Sequence, residues 1–364
     1  MGEVFAERRE RLRARCSGAG VDAALVSAPA NVRWLTGVPG AAALLLERDR
    51  AVLAVAHPSR DRERDDALEE LVVPVGQDPA VAIAAAAPAE ALLGVEEHDL
   101  TVARHRAVAE AAGGRLRDLH HSVEQLRVVK DEQELASLRI AAEIADQALG
   151  ELLESILVGR SERHLAMELE RRMVDHGADG PAFPVRVGAG DHSGRARHLP
   201  GDRRVEEGDF LTVSLGACYR GYRASATRTF VVGLAPAEWQ VDLHAVVFAA
   251  QRAAREALAV GSSLDDCARA ARRVLEARGY PPELDEGVGH GVGLDVEEEP
   301  RPGALEPWPG EFGKLENRVP VTVGLGVALP GRGGVRIEDT LVVRPSEDGG
   351  PELLTITTKE LLAL

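Results

Sequence analysis

The chain has 364 residues, 45% of them hydrophobic, which is more than one core usually serves and enough to fill two. Its 59 Asp plus Glu outweigh 43 Lys plus Arg, for a formal charge of -16 that repels phosphate backbones and anionic lipid heads and argues against nucleic acid or a membrane surface as partner. The three cysteines, Cys16, Cys218 and Cys267, are widely spaced and odd in number, so they define neither a disulfide framework nor a CxxC zinc site and read as reduced packing thiols.

The opening MGEVFAERRERLRARC is charged and lacks the apolar core of a secretory signal, and no apolar run is long enough to span a bilayer, so a cytoplasmic protein is expected. Residues 4 to 16 predict a surface helix ending near Gly18 and Gly20. An α/β unit follows, in which VDAALVSA (21 to 28), AALLLE (42 to 47) and RAVLAVA (50 to 56) are short apolar runs punctuated by Pro and Gly, as covered strands are. Helices are expected over 78 to 93 and 101 to 113, with short strands in EALLGVEE and around Leu119. At Val128 a long amphipathic stretch begins, with Leu135, Leu138, Ile140 and Ile144 at helical spacing, and the domain boundary is placed just before it, giving units 1–127 and 128–364. Beyond it the pattern predicts a helix over 161 to 176 capped by Ser161, a Gly- and Pro-rich loop to about 201, and strands at 209 to 219 and 227 to 233. Helices at 238 to 259 and 263 to 278 precede strands around Gly289 to Val296, Val319 to Leu329 and Val335 to Val343.

Taken in order, NVRWLTG, RVVKDEQELASLRIAAEIAD, EEGDFLTVSLGACYRGYRASATRTFVVG, GVGHGVGLDVEEEP and VPVTVGLGVALPGRGGVRIEDTLVV together resemble the creatinase, prolidase and aminopeptidase P superfamily. NVRWLTG (31 to 37) is similar to a strand and turn of its N-terminal domain, and RVVKDEQELASLRIAAEIAD to the helix opening its catalytic domain. EEGDFLTVSLGACYRGYRASATRTFVVG resembles its first metal-binding hairpin, GVGHGVGLDVEEEP its histidine segment, and VPVTVGLGVALPGRGGVRIEDTLVV its last two carboxylate strands. The implied fold is α/β (α+β): a small N-terminal α/β domain followed by a pita-bread domain with a curved antiparallel sheet.

The resemblance also implies five metal ligands, two Asp, one His and two Glu, because two close dications need carboxylates to neutralise and bridge them. Carried over residue by residue, the two Asp positions are Ser214 and Ser225, the His is His290, and the Glu positions are Gly324 and Glu338. Three of the five donors are absent, so no metal and no cofactor is expected; a single zinc-like ion on His290, Glu338 and Glu297 is the alternative. The family's substrate-contacting His before the Glu-Pro pair is Glu297 here, and its loop His aligns with Arg197, with His198 one residue later.

The candidate catalytic residues are therefore His290, Glu338 and Glu297, with Glu338 poising the imidazole as a general base. Candidate substrate-binding residues are Arg197, His198, His192, Arg336, Ser214 and Ser225, the two arginines suited to an anionic group. The expected function is a metal-independent hydrolase or lyase, not a dinuclear metallopeptidase, that cleaves or rearranges a C–N bond in a small amino-acid-like substrate. The alternatives are an inactive pseudo-peptidase that binds a partner, and a residual Xaa-Pro dipeptidase. A homodimer is expected, with the segment around Trp34 completing the neighbour's pocket.

Overall fold

The computed structural model describes residues 2–40, 42–57, 68–155, 157–195, 197–280, 287–301 and 313–364. The chain divides into two compact units, Met1–Arg127 and Val128–Leu364.

In the first unit α1 (Gly2–Gly18) leads into β1 (Ala23–Val26) and α2 (Pro29–Thr36), followed by β2 (Ala43–Leu46), β3 (Ala51–Val55) and β4 (Glu69–Val72). Then come α3 (Pro79–Ala86), β5 (Leu93–Val95), α4 (Val102–Ala111), β6 (Leu116–Asp118) and α5 (Ser122–Arg127). The sheet order is β4-β3-β2-β1-β5-β6, with β1, β5 and β6 mutually parallel. Segment 31–36 is helical rather than the expected strand and turn. Pro29 presets the first helical turn, Gly37 at φ 71° closes the last, and the buried Arg8 and Arg9 donate to the carbonyls of Trp34 and Leu35 at 2.9 and 3.0 Å. Trp34 is only 2% exposed and lies under Arg8, so it packs within its own unit and is not displayed for a neighbour. The expected helix over 78 to 93 ends at Ala86, because Pro88 removes a helical donor.

The second unit opens with α6 (Glu132–Leu153), whose Asp131 and Glu134 form a reciprocal capping box, and α7 (Glu162–Asp175), capped by Ser161. After β7 (Gly180–Pro181) and β8 (Arg186–Ala189), the long strands β9 (Phe210–Tyr219) and β10 (Tyr222–Val231) pair across Arg220 and Gly221. Both turn residues have positive φ, 48° and 81°, the geometry that suits the strand twist in a two-residue hairpin. Helices α8 (Glu238–Glu256) and α9 (Leu264–Ala277) precede β11 (Pro320–Leu329), β12 (Gly333–Val342) and the short β13 (Glu352–Leu353). The antiparallel sheet runs β11-β12-β10-β9-β7, with β8 on β9 and β13 on β12. One apolar core packs α6 and α7 against β8 and β9, and a second packs α8 and α9 against β11 and β12. This is the expected pita-bread architecture.

Residues 289–296 do not form the expected strand. They run beside β11, with Thr322 donating to the His290 carbonyl and Gly324 to that of Val288, both at 2.8 Å, and bridge only singly at Gly291. A β-carbon on Gly289 or Gly291 would collide with the carbonyls of Thr322 or Glu299, so glycine is what permits the close approach.

Candidate active site

Strand register builds the site. Ser214 on β9 pairs with Thr227 on β10, Thr227 with Glu338 on β12, and Glu338 with Gly324 on β11, so the four residues form one row across the sheet. Side chains alternate faces along a strand, which puts Ser225, Thr322 and Arg336 on the same face, two residues from their row neighbours. The hydroxyls of Ser214 and Thr227 bond at 2.9 Å, and Ser225 donates to Glu338 Oε1 at 3.2 Å.

His290 is held above this row by its own segment. Its backbone N–H donates to Thr322 Oγ1 at 3.3 Å, and its ring Nδ1 lies 2.9 Å from the Gly291 carbonyl. A carbonyl only accepts, so Nδ1 carries the proton and Nε2 is left as the basic atom. Downstream, the buried Glu298 clamps the segment by an ion pair to the buried Lys130 at 2.7 Å and by accepting from the Asp295 N–H at 3.0 Å.

A cavity of about 640 Å³ opens over the row and brings together His290, Glu297, Glu338, Arg197, Arg336, Ser214 and Ser225. The expected poising of His290 by Glu338 is absent: among the described residues no hydrogen bond or ion pair joins them, because Glu338 takes Ser225 and His290 takes its neighbouring carbonyl. Glu297 sits at the rim, 62% exposed and 3.9 Å from Arg301. Arg228 pairs with Asp339 at 2.8 Å and reaches the backbone carbonyl of Glu338, so that among the described residues the Glu338 carboxylate has no ion pair.

His192 and His198 line an adjoining cavity of about 490 Å³ that shares Arg186, Ser214 and Arg336 with the first. Both are fixed by Glu162, the fully buried first residue of α7. Glu162 Oε1 accepts from Ala189 N and His192 Nδ1 at 2.9 and 2.8 Å; Oε2 accepts from His198 Nε2 and Gly201 N at 2.7 and 3.0 Å. Burial pushes this carboxyl towards protonation, but the four donors outweigh it and hold its pKa below the usual value. Sequence reasoning missed Glu162, which reads as an ordinary acidic residue in a first helical turn, and Arg186, which stacks on Phe183.

Two sequence profiles match the chain: Metallopeptidase family M24 over residues 136–345 and the Creatinase/Prolidase N-terminal domain over residues 8–129. The chain belongs to metallopeptidase family M24. An Xaa-Pro dipeptidase of Pyrococcus furiosus is 35% identical over 240 residues, 66% of each chain, and an uncharacterized peptidase of Bacillus subtilis is 30% identical over 98% of this chain and 99% of its own. Among solved structures, an Xaa-Pro dipeptidase from Bacillus anthracis superimposes with a TM-score of 0.88 at 30% identity, covering 99% of this chain and all of that one. The prolidase from Pyrococcus horikoshii superimposes with a TM-score of 0.85 at 28% identity, covering 98% and 99% of the two chains.

These relationships correct the expected function. A metal-independent enzyme that is not a dinuclear metallopeptidase conflicts with membership of a metallopeptidase family whose matching relatives include Xaa-Pro dipeptidases, and the inactive pseudo-peptidase gains no support from them. The dipeptidase alternative is the one the relatives favour.

The family implies metal ions, and the five positions carried over above do not fit a pair of them. They offer one imidazole and one carboxylate, with two hydroxyls already bonded to neighbours and a glycine whose β-carbon position is filled by the Glu338 side chain. Among the described residues no third His, Cys, Asp or Glu joins His290 and Glu338 in a metal-holding group.

Proposed function

We propose that the chain is a peptidase of the Xaa-Pro dipeptidase type, acting on short peptides with a free carboxylate in the cavity over the Glu338 row. The observation that carries this reading is the cavity's mixed lining. Arg186, Arg197 and Arg336 face it together with Glu297 and Glu338, in a volume of about 640 Å³ suited to a small ligand. A dipeptide is a zwitterion, and such a lining matches both of its ends: guanidinium groups take the carboxylate and the Glu carboxylates take the ammonium. His290 Nε2, with its tautomer fixed by the Gly291 carbonyl, is the group that holds or delivers a proton at the scissile C–N bond. The Ser214, Ser225 and Thr227 hydroxyls orient the peptide between these charges.

The test is cleavage of a panel of Xaa-Pro dipeptides by the purified chain, read by chromatography, against the same peptides with amidated C-termini. Cleavage of the free acids in preference to the amides supports the reading, and equal rates on both remove the carboxylate from it. A homodimer is proposed for the assembly, on the family resemblance alone, and a single-chain mass by light scattering at micromolar concentration would remove it.

A further inference from the structure

The N-terminal unit holds a second cluster of metal-type side chains that dipeptide chemistry does not use. Strands β5 and β6 are parallel, with Val95 paired to Asp118, and His98 and His121 each lie three residues beyond that pair. Both histidines therefore emerge past the carboxyl ends of adjacent parallel strands, where open α/β sheets place their ligands. Their rings stack with centroids 3.7 Å apart at an interplanar angle of 28°. Glu124, in the first turn of α5, joins them: His98 Nε2 lies 2.9 Å from its Oε1, and the ligand atoms of all three residues lie within 4.8 Å of one another.

Two observations set this cluster apart from a surface ion pair. Glu124 Oε1 also accepts from the Asn31 amide at 2.6 Å, whereas its Oε2 is buried with no hydrogen-bond partner among the described residues. A buried carboxylate oxygen left unsatisfied is costly and needs an explanation. The backbone at His120 and His121 is also left-handed, with φ 47° and 53°, a conformation uncommon in residues other than glycine, and it turns the chain so that His121 meets His98. The Glu162, His192 and His198 trio of the other unit makes the contrast, since N–H donors occupy both of its carboxylate oxygens and none is left unsatisfied.

We propose that His98, His121 and Glu124 bind a zinc-class divalent transition-metal ion, with Glu124 Oε2 as the carboxylate ligand and water in the fourth position. Two imidazoles and one carboxylate are a zinc-type donor set, and the ion would clip the loop after β5 to the start of α5.

The experiment is zinc binding to the full-length chain by equilibrium dialysis with elemental analysis, with cobalt substitution to read the coordination from its visible bands. The expected result is a zinc equivalent that is lost or weakened at least about a hundredfold in both His121→Ala and Glu124→Gln and retained in His192→Ala and His290→Ala. Circular dichroism of the metal-free variants checks that they fold, and His98→Gln replaces any that does not. A second equivalent insensitive to His121→Ala belongs elsewhere and leaves the expected loss readable. No zinc binding by the parent chain, or binding that survives both His121→Ala and Glu124→Gln, overturns the proposal.

Discussion

Gly324 faces Glu338 across β11 and β12, and a β-carbon at residue 324 would lie 2.5 Å from Cβ and 2.6 Å from Cγ of Glu338. The Glu338 chain thus occupies the space a larger residue would need. Gly324→Ala should overpack this point and lower stability by about 1–3 kcal/mol, read as a fall in the melting midpoint, while moving the Glu338 carboxylate away from Ser225. An unchanged midpoint would mean that the strands give way there freely.

Arg336 lines both cavities and lies on the Glu338 face of β12. If it holds the substrate carboxylate, Arg336→Leu should raise KM about ten- to a hundredfold, the range of a charge-assisted hydrogen bond, with a much smaller change in kcat. An equal fall in kcat at constant KM would place Arg336 in the reaction step instead of in binding.

His290 is carried by a glycine-flanked segment and, among the described residues, keeps only backbone and Thr322 hydrogen-bond partners. His290→Ala should therefore change stability by about 0.5 kcal/mol or less, as surface substitutions do, while lowering turnover by about two to four orders of magnitude. Cys218→Ala should leave turnover alone, since its thiol lies 3.9 Å from the Asp179 carboxylate and lines neither cavity. Loss of folding in His290→Ala would assign the ring a structural role.

Burial lowers the pKa of His244 on α8, against the opposing pull of its bond to the Lys359 backbone. The unfolded chain then binds a proton more readily than the folded one. The contribution to stability is complete above the unfolded value of 6.5 and is lost as pH falls through the folded value. His244→Gln should flatten the acid side of the stability profile below pH 6.5, measured by denaturant unfolding across pH; an unaltered slope would assign that limb to other groups.

Much of the fold was legible because its signals are local. Asp131 and Ser161 announce their helices, and β9 to β12 show apolar runs of strand length. The row of Ser214, Glu338 and Gly324 was legible by position but not as a row, since only the strand register puts them side by side. Segment 31–36 misled because its helix depends on Arg8 and Arg9 reaching its last carbonyls from α1. Segment 289–296 misled because its backbone partners are scattered, Pro320 and Thr322 at β11 but also Arg223, Glu298 and Pro300, so only isolated bridges form in place of a continuous ladder. Glu162 and the unsatisfied oxygen of Glu124 could not be read at all, because their meaning is set by what surrounds them after folding.

Hydrolysis of an Xaa-Pro dipeptide by the parent chain and by Glu338→Gln, both in divalent-cation buffer with products identified by mass, bears most directly on the proposed activity. The predicted result is release of free proline by the parent chain and a rate at least about a hundredfold lower for the variant, the loss expected when the carboxylate that binds the substrate ammonium is neutralised. No proline release by the parent chain on any dipeptide of the panel, or equal rates for the two proteins, would contradict it.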